Sequence, residues 1–125
     1  HGWITALVPI FIKTRYKDNP LFQDMKMVFS VYNDQFSEKF SSDFAKKLRL
    51  TGIPKEHTTK FRTPGYESLI KSALDFSEGA VIAHPEVKKT IQTYISKSGK
   101  PMITHPEGDN YVDLYDNFYD QLLAN

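Results

Sequence analysis

Apolar residues recur at helical spacing in five stretches, and short, uninterrupted apolar runs separate them. Ile4, Leu7, Val8, Phe11 and Ile12 predict an amphipathic first helix, with Pro9 inside it as a bend because its ring crowds the carbonyl one turn back. Asp18-Asn19-Pro20 is turn chemistry. Residues 25–31 form a run of strand length, ending at Tyr32-Asn33-Asp34. Phe40, Phe44 and Leu48 mark a short helix, with Ser41 or Ser42 as its N-cap and Gly52 beyond its end. Periodicity vanishes over residues 53–62, which therefore read as a loop.

Thr63-Pro64 supplies an N-cap followed by Pro at the first helical position. Tyr66, Leu69, Ile70, Ala73 and Leu74 form the buried stripe of that helix, and Gly79 stops it. Residues 80–83 are fully apolar, as buried strands of parallel sheets are. His84-Pro85 opens a helix with Val87, Ile91, Tyr94 and Ile95 inward, closing at Ser98-Gly99. Residues 101–104 give a third short strand. After the turn His105-Pro106-Glu107-Gly108, a last helix puts Tyr111, Leu114, Tyr115, Phe118 and Leu122 on one face, with Asp113, Asp116 and Asp120 on the solvated side. Alternation of this kind predicts an α/β, Rossmann-like three-layer fragment, a short parallel sheet with helices on both faces. Three strands make half of a doubly wound domain, so residues 1–125 read as a single partial domain.

Composition narrows the function classes. Sixteen basic and 15 acidic residues leave a net charge of +1, and no overall field points to nucleic acid or to an anionic membrane. Early basic residues (Lys13, Arg15, Lys17, Lys46, Lys47, Arg49) read as solvated helix surface or as a binding stripe. The absence of Cys excludes disulfides, Cys-based zinc sites and thiol nucleophiles, and fits a reducing cytoplasm. No apolar run approaches the roughly 20 residues of a membrane span. His57 and His105 lie in polar loops without a partner at ligand spacing, so neither a metal site nor a cofactor is expected. Lys71 reads as a surface residue or a phosphate contact, and His84-Pro85-Glu86 as a solvated cap or an anion site.

His1-Gly2-Trp3 stands directly before the first helix, where an α/β chain should just have left a strand. The chain is thus expected to begin mid-domain, at the carboxyl edge where open parallel sheets collect ligands. This stretch resembles the starch and glycogen synthase family, whose His-x-His-Asp-Trp segment ends a strand and precedes a helix of the type Thr-Ala-Leu-x-Pro-x-Tyr-x-Lys. His1 matches the second His, Trp3 the Trp, and Thr5-Ala6-Leu7 and Pro9 the helix. Lys26-Met27-Val28-Phe29-Ser30-Val31-Tyr32-Asn33 resembles the family strand ending Val-His-Asn, and residues 68–79 resemble its Leu-Lys-x-Gly-x-x-x-Ala-Asp helix end.

The resemblance implies a parent that transfers glucose from ADP-glucose to the non-reducing end of an α-1,4-glucan with retention. His1 would be its catalytic residue, and His1, Trp3 and Asn33 would bind substrate, although Asn33 could instead cap the strand-to-loop turn. The family's Lys-x-Gly-Gly-Leu loop and its diphosphate-binding second lobe have no counterpart here. The chain alone is therefore expected to be inactive, and a homodimer is expected, either edge to edge or by burying the first helix, with Trp3 and Phe11, against a second copy. Gly2 replaces the family Asp, Ile4 a polar residue and Tyr32 the His of Val-His-Asn. These departures sustain a second reading, a non-catalytic lobe-only relative that binds glucan or regulates a synthase.

Overall fold

A computed structural model describes residues 1–105 and 108–125. Pro106 and Glu107, which the sequence places in the turn before the last helix, lie outside the described residues. A 3-10 turn at Trp3–Thr5 leads into α1 (Val8–Lys13), and β1 (Val28–Val31) and α2 (Phe44–Leu50) follow. A 3-10 stretch, Lys55–Arg62, precedes α3 (Tyr66–Asp75), β2 (Gly79–Ile82), α4 (Lys89–Lys97), β3 (Met102–Thr104) and α5 (Tyr111–Ala124). The three strands lie in chain order, and both pairings are parallel. Phe29 faces Ala80 across the first pairing, and Val81 faces Ile103 across the second. The expected α/β sheet with helices on both faces is present.

Strand alternation sends residues to two unequal cores. Phe29, Val31, Ala80 and Ile82 point to the front, where Ile10 of α1, Leu69, Ile70, Ala73 and Leu74 of α3, and Ile91 and Ile95 of α4 enclose them. Val28, Val81 and Ile103 point to the back, where Phe118, Leu122 and Tyr115 of α5 cover them. Gly79 opens β2 under that helix. A Cβ there would come within 2.9 Å of both the Leu122 and the Phe118 side chains, so this glycine lets α5 approach the strand.

Polar fasteners close the ends. Lys13 Nζ donates to Glu78 Oε1 at 2.6 Å and to the Met25 carbonyl at 2.7 Å, while Met27 N–H donates to Glu78 Oε2 at 2.6 Å. These contacts tie α1, the entry to β1 and the entry to β2 together. Burial raises the Glu78 pKa, but the Lys13 ammonium and the Met27 N–H outweigh it, and the group lies below its ordinary value. Lys100 Nζ donates to the carbonyls of Leu74, Asp75 and Ser77 at 2.6–3.0 Å. It thereby occupies the orphan acceptors at the end of α3.

Several local expectations are corrected. Pro9 does not bend a long helix. The chain instead makes a separate 3-10 turn, and Pro9 sits in the first turn of α1, where its missing N–H costs nothing. Ile4 and Val8 are exposed at 79% and 45%. Residues 55–62 are 3-10 rather than loop, and Thr58 and Phe61, one such turn apart, are both buried. The N-cap of α2 is Asp43, with Ser41 Oγ accepting the Asp43 N–H at 3.3 Å. The N-cap of α3 is Gly65, whose N–H donates to Ser68 Oγ at 2.8 Å. That helix ends at Asp75, before Gly79, and α4 starts at Lys89 rather than at His84-Pro85. Tyr111 and Leu114 are exposed, because the narrow sheet meets only the middle and end of α5.

Candidate functional site

The carboxyl end of β1 gathers residues from four parts of the chain. Gly2 N–H donates to the Ser30 carbonyl at 3.0 Å, which lays His1-Gly2-Trp3 against the strand on the side away from β2. Trp3 N–H donates to Asp34 Oδ2 at 2.9 Å. The Tyr66 hydroxyl at the start of α3 donates to Asp34 Oδ1 at 2.9 Å, with the Tyr32 carbonyl at 3.3 Å. Burial, reinforced by the Asp34 carboxylate, pushes the Tyr66 phenol well above its ordinary range and keeps it a donor.

Of the residues singled out by sequence, His1 is exposed, with its ring 6.1 Å from that of Tyr32, edge-on. Its carbonyl accepts from Thr5 Oγ1 at 2.9 Å. Trp3 is half-buried and packs edge-on to Phe36 at 5.0 Å. Asn33 Nδ2 donates to Glu86 Oε2 at 3.0 Å, a bond across to the loop after β2. That loop is itself shaped by Glu86 N–H donating to His84 Nδ1 at 3.1 Å. His84 faces His105 at the end of β3, with ring centroids 6.4 Å apart. His1, Trp3 and Asn33 thus come to one edge of the sheet.

Two open cavities share Phe36 and Glu38, and Trp3 lines the smaller of them. One, of about 300 Å³, is lined by Trp3, Phe36, Glu38 and Phe40. The other, of about 600 Å³, is lined by Gln35, Phe36, Ser37, Glu38 and Lys88. The smaller one, with three aromatic walls and one carboxylate, has the usual makeup of a small-molecule site, whereas the larger is mainly polar. The rings continue inward as Phe36–Phe40 at 5.6 Å, Phe40–Phe44 at 4.9 Å and Phe44–Phe61 at 5.3 Å. Among the described residues, no group of three or more His, Cys, Asp or Glu side chains could hold a metal ion. No helix of the described residues is long and apolar enough to cross a membrane.

Lys71 lies on the adjoining helix face. It is half-buried, pairs with Glu67 at 3.1 Å and stands 5.6 Å from the Tyr94 ring centre. Glu67 also takes Lys88 at 2.9 Å. Hydrogen bonds from Lys88 first and Lys71 second hold the Glu67 carboxyl at about 2 against an ordinary 4.5. A carboxylate depressed on folding stabilises the fold above its unfolded pKa, and that contribution fades as pH falls through the folded one. The advantage of the parent over Glu67→Gln is therefore expected above pH 4.5 and to vanish towards pH 2. Solvent screening of this partly exposed cluster limits it to about 1 kcal/mol or less. Urea midpoints of the two proteins across that range check this, and a constant difference would refute it.

Asp34, Tyr66 and Glu86 are the residues holding this edge together that sequence reasoning did not single out as part of a site. Asp34 carried a signal in its position just past a strand's carboxyl end. Tyr66 read as part of an apolar stripe, which hid its hydroxyl, and Glu86 as a dipole-complementing cap.

Residues 1–103 match the family described as the starch synthase catalytic domain. A glycogen synthase of Bacillus cereus (strain Q1) is 28% identical over 92 residues, which cover 74% of this chain and 19% of that protein. A glycogen synthase of Bacillus subtilis (strain 168) is 25% identical over 125 residues, 95% of this chain and 25% of that protein. The chain thus spans about a fifth to a quarter of the length of these relatives. No solved structure gives a significant match.

Proposed function

Because the chain belongs to the starch synthase catalytic domain family, we propose that it forms part of the acceptor-side lobe of a glucosyltransferase. The parent reaction moves glucose from ADP-glucose to the non-reducing end of an α-1,4-glucan with retention, in the cytoplasm. What supports this reading is the gathering of His1, Trp3 and Asn33 around the carboxyl end of β1, where Trp3 lines an aromatic cavity.

In this proposal His1 is the catalytic residue. Glycosyl transfer passes through an oxocarbenium-like state, which dipoles and hydrogen-bond acceptors aimed at the sugar stabilise. A neutral imidazole can accept from a glucosyl hydroxyl. The His1 carbonyl, already oriented by Thr5 Oγ1, keeps a second lone pair for the developing charge. Trp3 offers an apolar face to a pyranose ring, and Asn33, held by Glu86, presents its amide oxygen to a hydroxyl. No cofactor or metal enters this reading. A homodimer would form across the apolar groove of Ile4, Leu7, Val8, Phe11, Ile12, Tyr16 and Phe22, a space of about 360 Å³.

A second reading, a non-catalytic lobe that binds glucan or regulates a synthase, draws on a separate observation. Gly2, Ile4 and Tyr32 depart from the family pattern at this edge, and the Tyr32 ring stands edge-on to that of His1.

The test is ADP release from ADP-glucose in the presence of maltoheptaose. The natural full-length protein is expected to turn over, and His1→Ala to lower kcat by about 10²–10³, the loss typical of one charge-stabilising group. The 125-residue chain alone is expected to give only the no-protein blank, because closing over the donor requires the second lobe. Maltoheptaose binding without turnover in the full-length protein would establish the second reading. Turnover by the chain alone, abolished by His1→Ala, would refute the partial-lobe assignment.

A further inference from the structure

Gly2 adopts φ 70° and ψ 174°, a backbone region occupied essentially by glycine alone. A Cβ built there would lie 2.6 Å from Asp34 Oδ2, closer than side-chain atoms approach. The space a side chain on residue 2 would enter is therefore taken by a carboxylate arriving from beyond the end of β1. Both its oxygens are used: Oδ2 accepts the Trp3 N–H and Oδ1 the Tyr66 hydroxyl, each at 2.9 Å. The Trp3 N–H belongs to the opening of a 3-10 turn, where amides have no partner within the turn. The Trp3 ring then meets Phe36, which in turn packs edge-on to Tyr66 at 5.5 Å. Amide, carboxylate, phenol and rings close a loop of contacts with Asp34 as its polar centre.

We propose that Asp34 is the positioning residue of this edge, taking the place of a carboxylate on residue 2 and fixing Trp3 as a wall of the cavity it shares with Phe36, Glu38 and Phe40. The resemblance that leads one to expect Asp at position 2 is reconciled in this way with the glycine found there. The carboxylate comes from the neighbouring strand's exit, and position 2 gives up its side chain to admit it. The consequence for sugar binding rests on the reading of Trp3 under the proposed function. The fixing of Trp3 does not.

Trp3 is the only tryptophan of the chain, so its emission reports on this site without any ligand. In Asp34→Ala the emission is expected to move to longer wavelength and acrylamide quenching to rise, with the far-UV circular dichroism unchanged. Asp34→Asn keeps an oxygen for the Trp3 N–H and turns its amide to the Tyr66 oxygen, so it should stay close to the parent. A space-filling role is separated by Asp34→Leu, which fills the site but offers the Trp3 N–H no acceptor and should be as perturbed as Asp34→Ala, and a parent-like Leu variant would overturn the proposal.

Should Asp34→Ala fail to fold, Tyr66→Phe frees one tether of the carboxylate and should shift the emission in the same direction by less. Parent-like emission and quenching in both Asp34→Ala and Tyr66→Phe would overturn the proposal, and so would an Asn variant as perturbed as the Ala one. Titration with maltoheptaose separates the two layers. If the parent binds it, Asp34→Ala should weaken binding about tenfold, the equivalent of one charge-assisted hydrogen bond. If maltoheptaose leaves the parent's Trp3 emission untouched while the ligand-free shift in Asp34→Ala is seen, the positioning role stands and the sugar-binding reading of Trp3 falls.

Discussion

Replacing Phe61 with Ala is expected to destabilise the chain by ~3–5 kcal/mol. Phe61 has no solvent exposure and abuts Phe44 at the inner end of the row of rings that begins at Trp3. Truncation removes the transfer free energy of the ring. It also leaves a cavity between the 3-10 stretch and α2 that short, separately anchored elements cannot close by sliding. For a domain of ordinary stability, about 5–15 kcal/mol, such a loss is a large share of the total. Urea unfolding, followed by Trp3 emission and by circular dichroism, measures it. A cost below ~1 kcal/mol would mean that residues 53–62 are the loop their sequence suggested.

The second large effect lies at the centre of the sheet. Ile82→Ala in β2 and Leu74→Ala in α3 should each cost ~2–5 kcal/mol, since both side chains are almost wholly buried in the front core. Lys71→Ala is the contrast. The sequence placed it on the surface, whereas it is half-buried and paired with Glu67 at spacing i,i+4. Pairs of that kind contribute about 0.3–0.5 kcal/mol, and Glu67 retains Lys88 when Lys71 is removed. The gap between the apolar pair and Lys71 should therefore persist in urea melts. Losses of similar size for all three would show that the Lys71 ammonium carries far more than a screened ion pair.

The parts of the fold that sequence made legible are those where one rule operates over several turns. In α3 the apolar stripe is long enough to show the helical period, and Tyr66, Leu69, Ile70, Ala73 and Leu74 are all buried as expected. β2 reads as a bare apolar run because both its faces are covered. The misses come where the period changes or where polar atoms are buried. In the 3-10 stretch the inward residues are three apart and one of them is Thr58, whose hydroxyl donates to the Lys55 carbonyl at 2.8 Å. An apolar-periodicity reading cannot see it.

Likeness pointed to His1, Trp3 and Asn33 at this edge, but not to the contacts that fasten it. Asp34 acts through an amide 31 residues away, and no local pattern encodes a pairing at that distance. Gly2 looked like a lost functional group, and only the position of Asp34 Oδ2 against it turns the same glycine into a requirement.

The unequal holding of the two sheet faces divides the chain into cooperative units of different strength. The front core recruits α1, α2, α3 and α4, whereas α5 is anchored by Phe118 and Leu122, with Tyr115 beside them. Full burial of two such side chains is worth roughly 3–6 kcal/mol. Against it stands the ordering of a 14-residue helix that would be marginal alone in water. The back face is accordingly the seam of the molecule. α5 is therefore expected to open first, with the sheet and its front helices still folded, and amide exchange in α5 well ahead of that in α3 would show it. The half-open species bares Val28, Val81 and Ile103 as one apolar strip on a pleated surface, the form in which misassembly between copies would start.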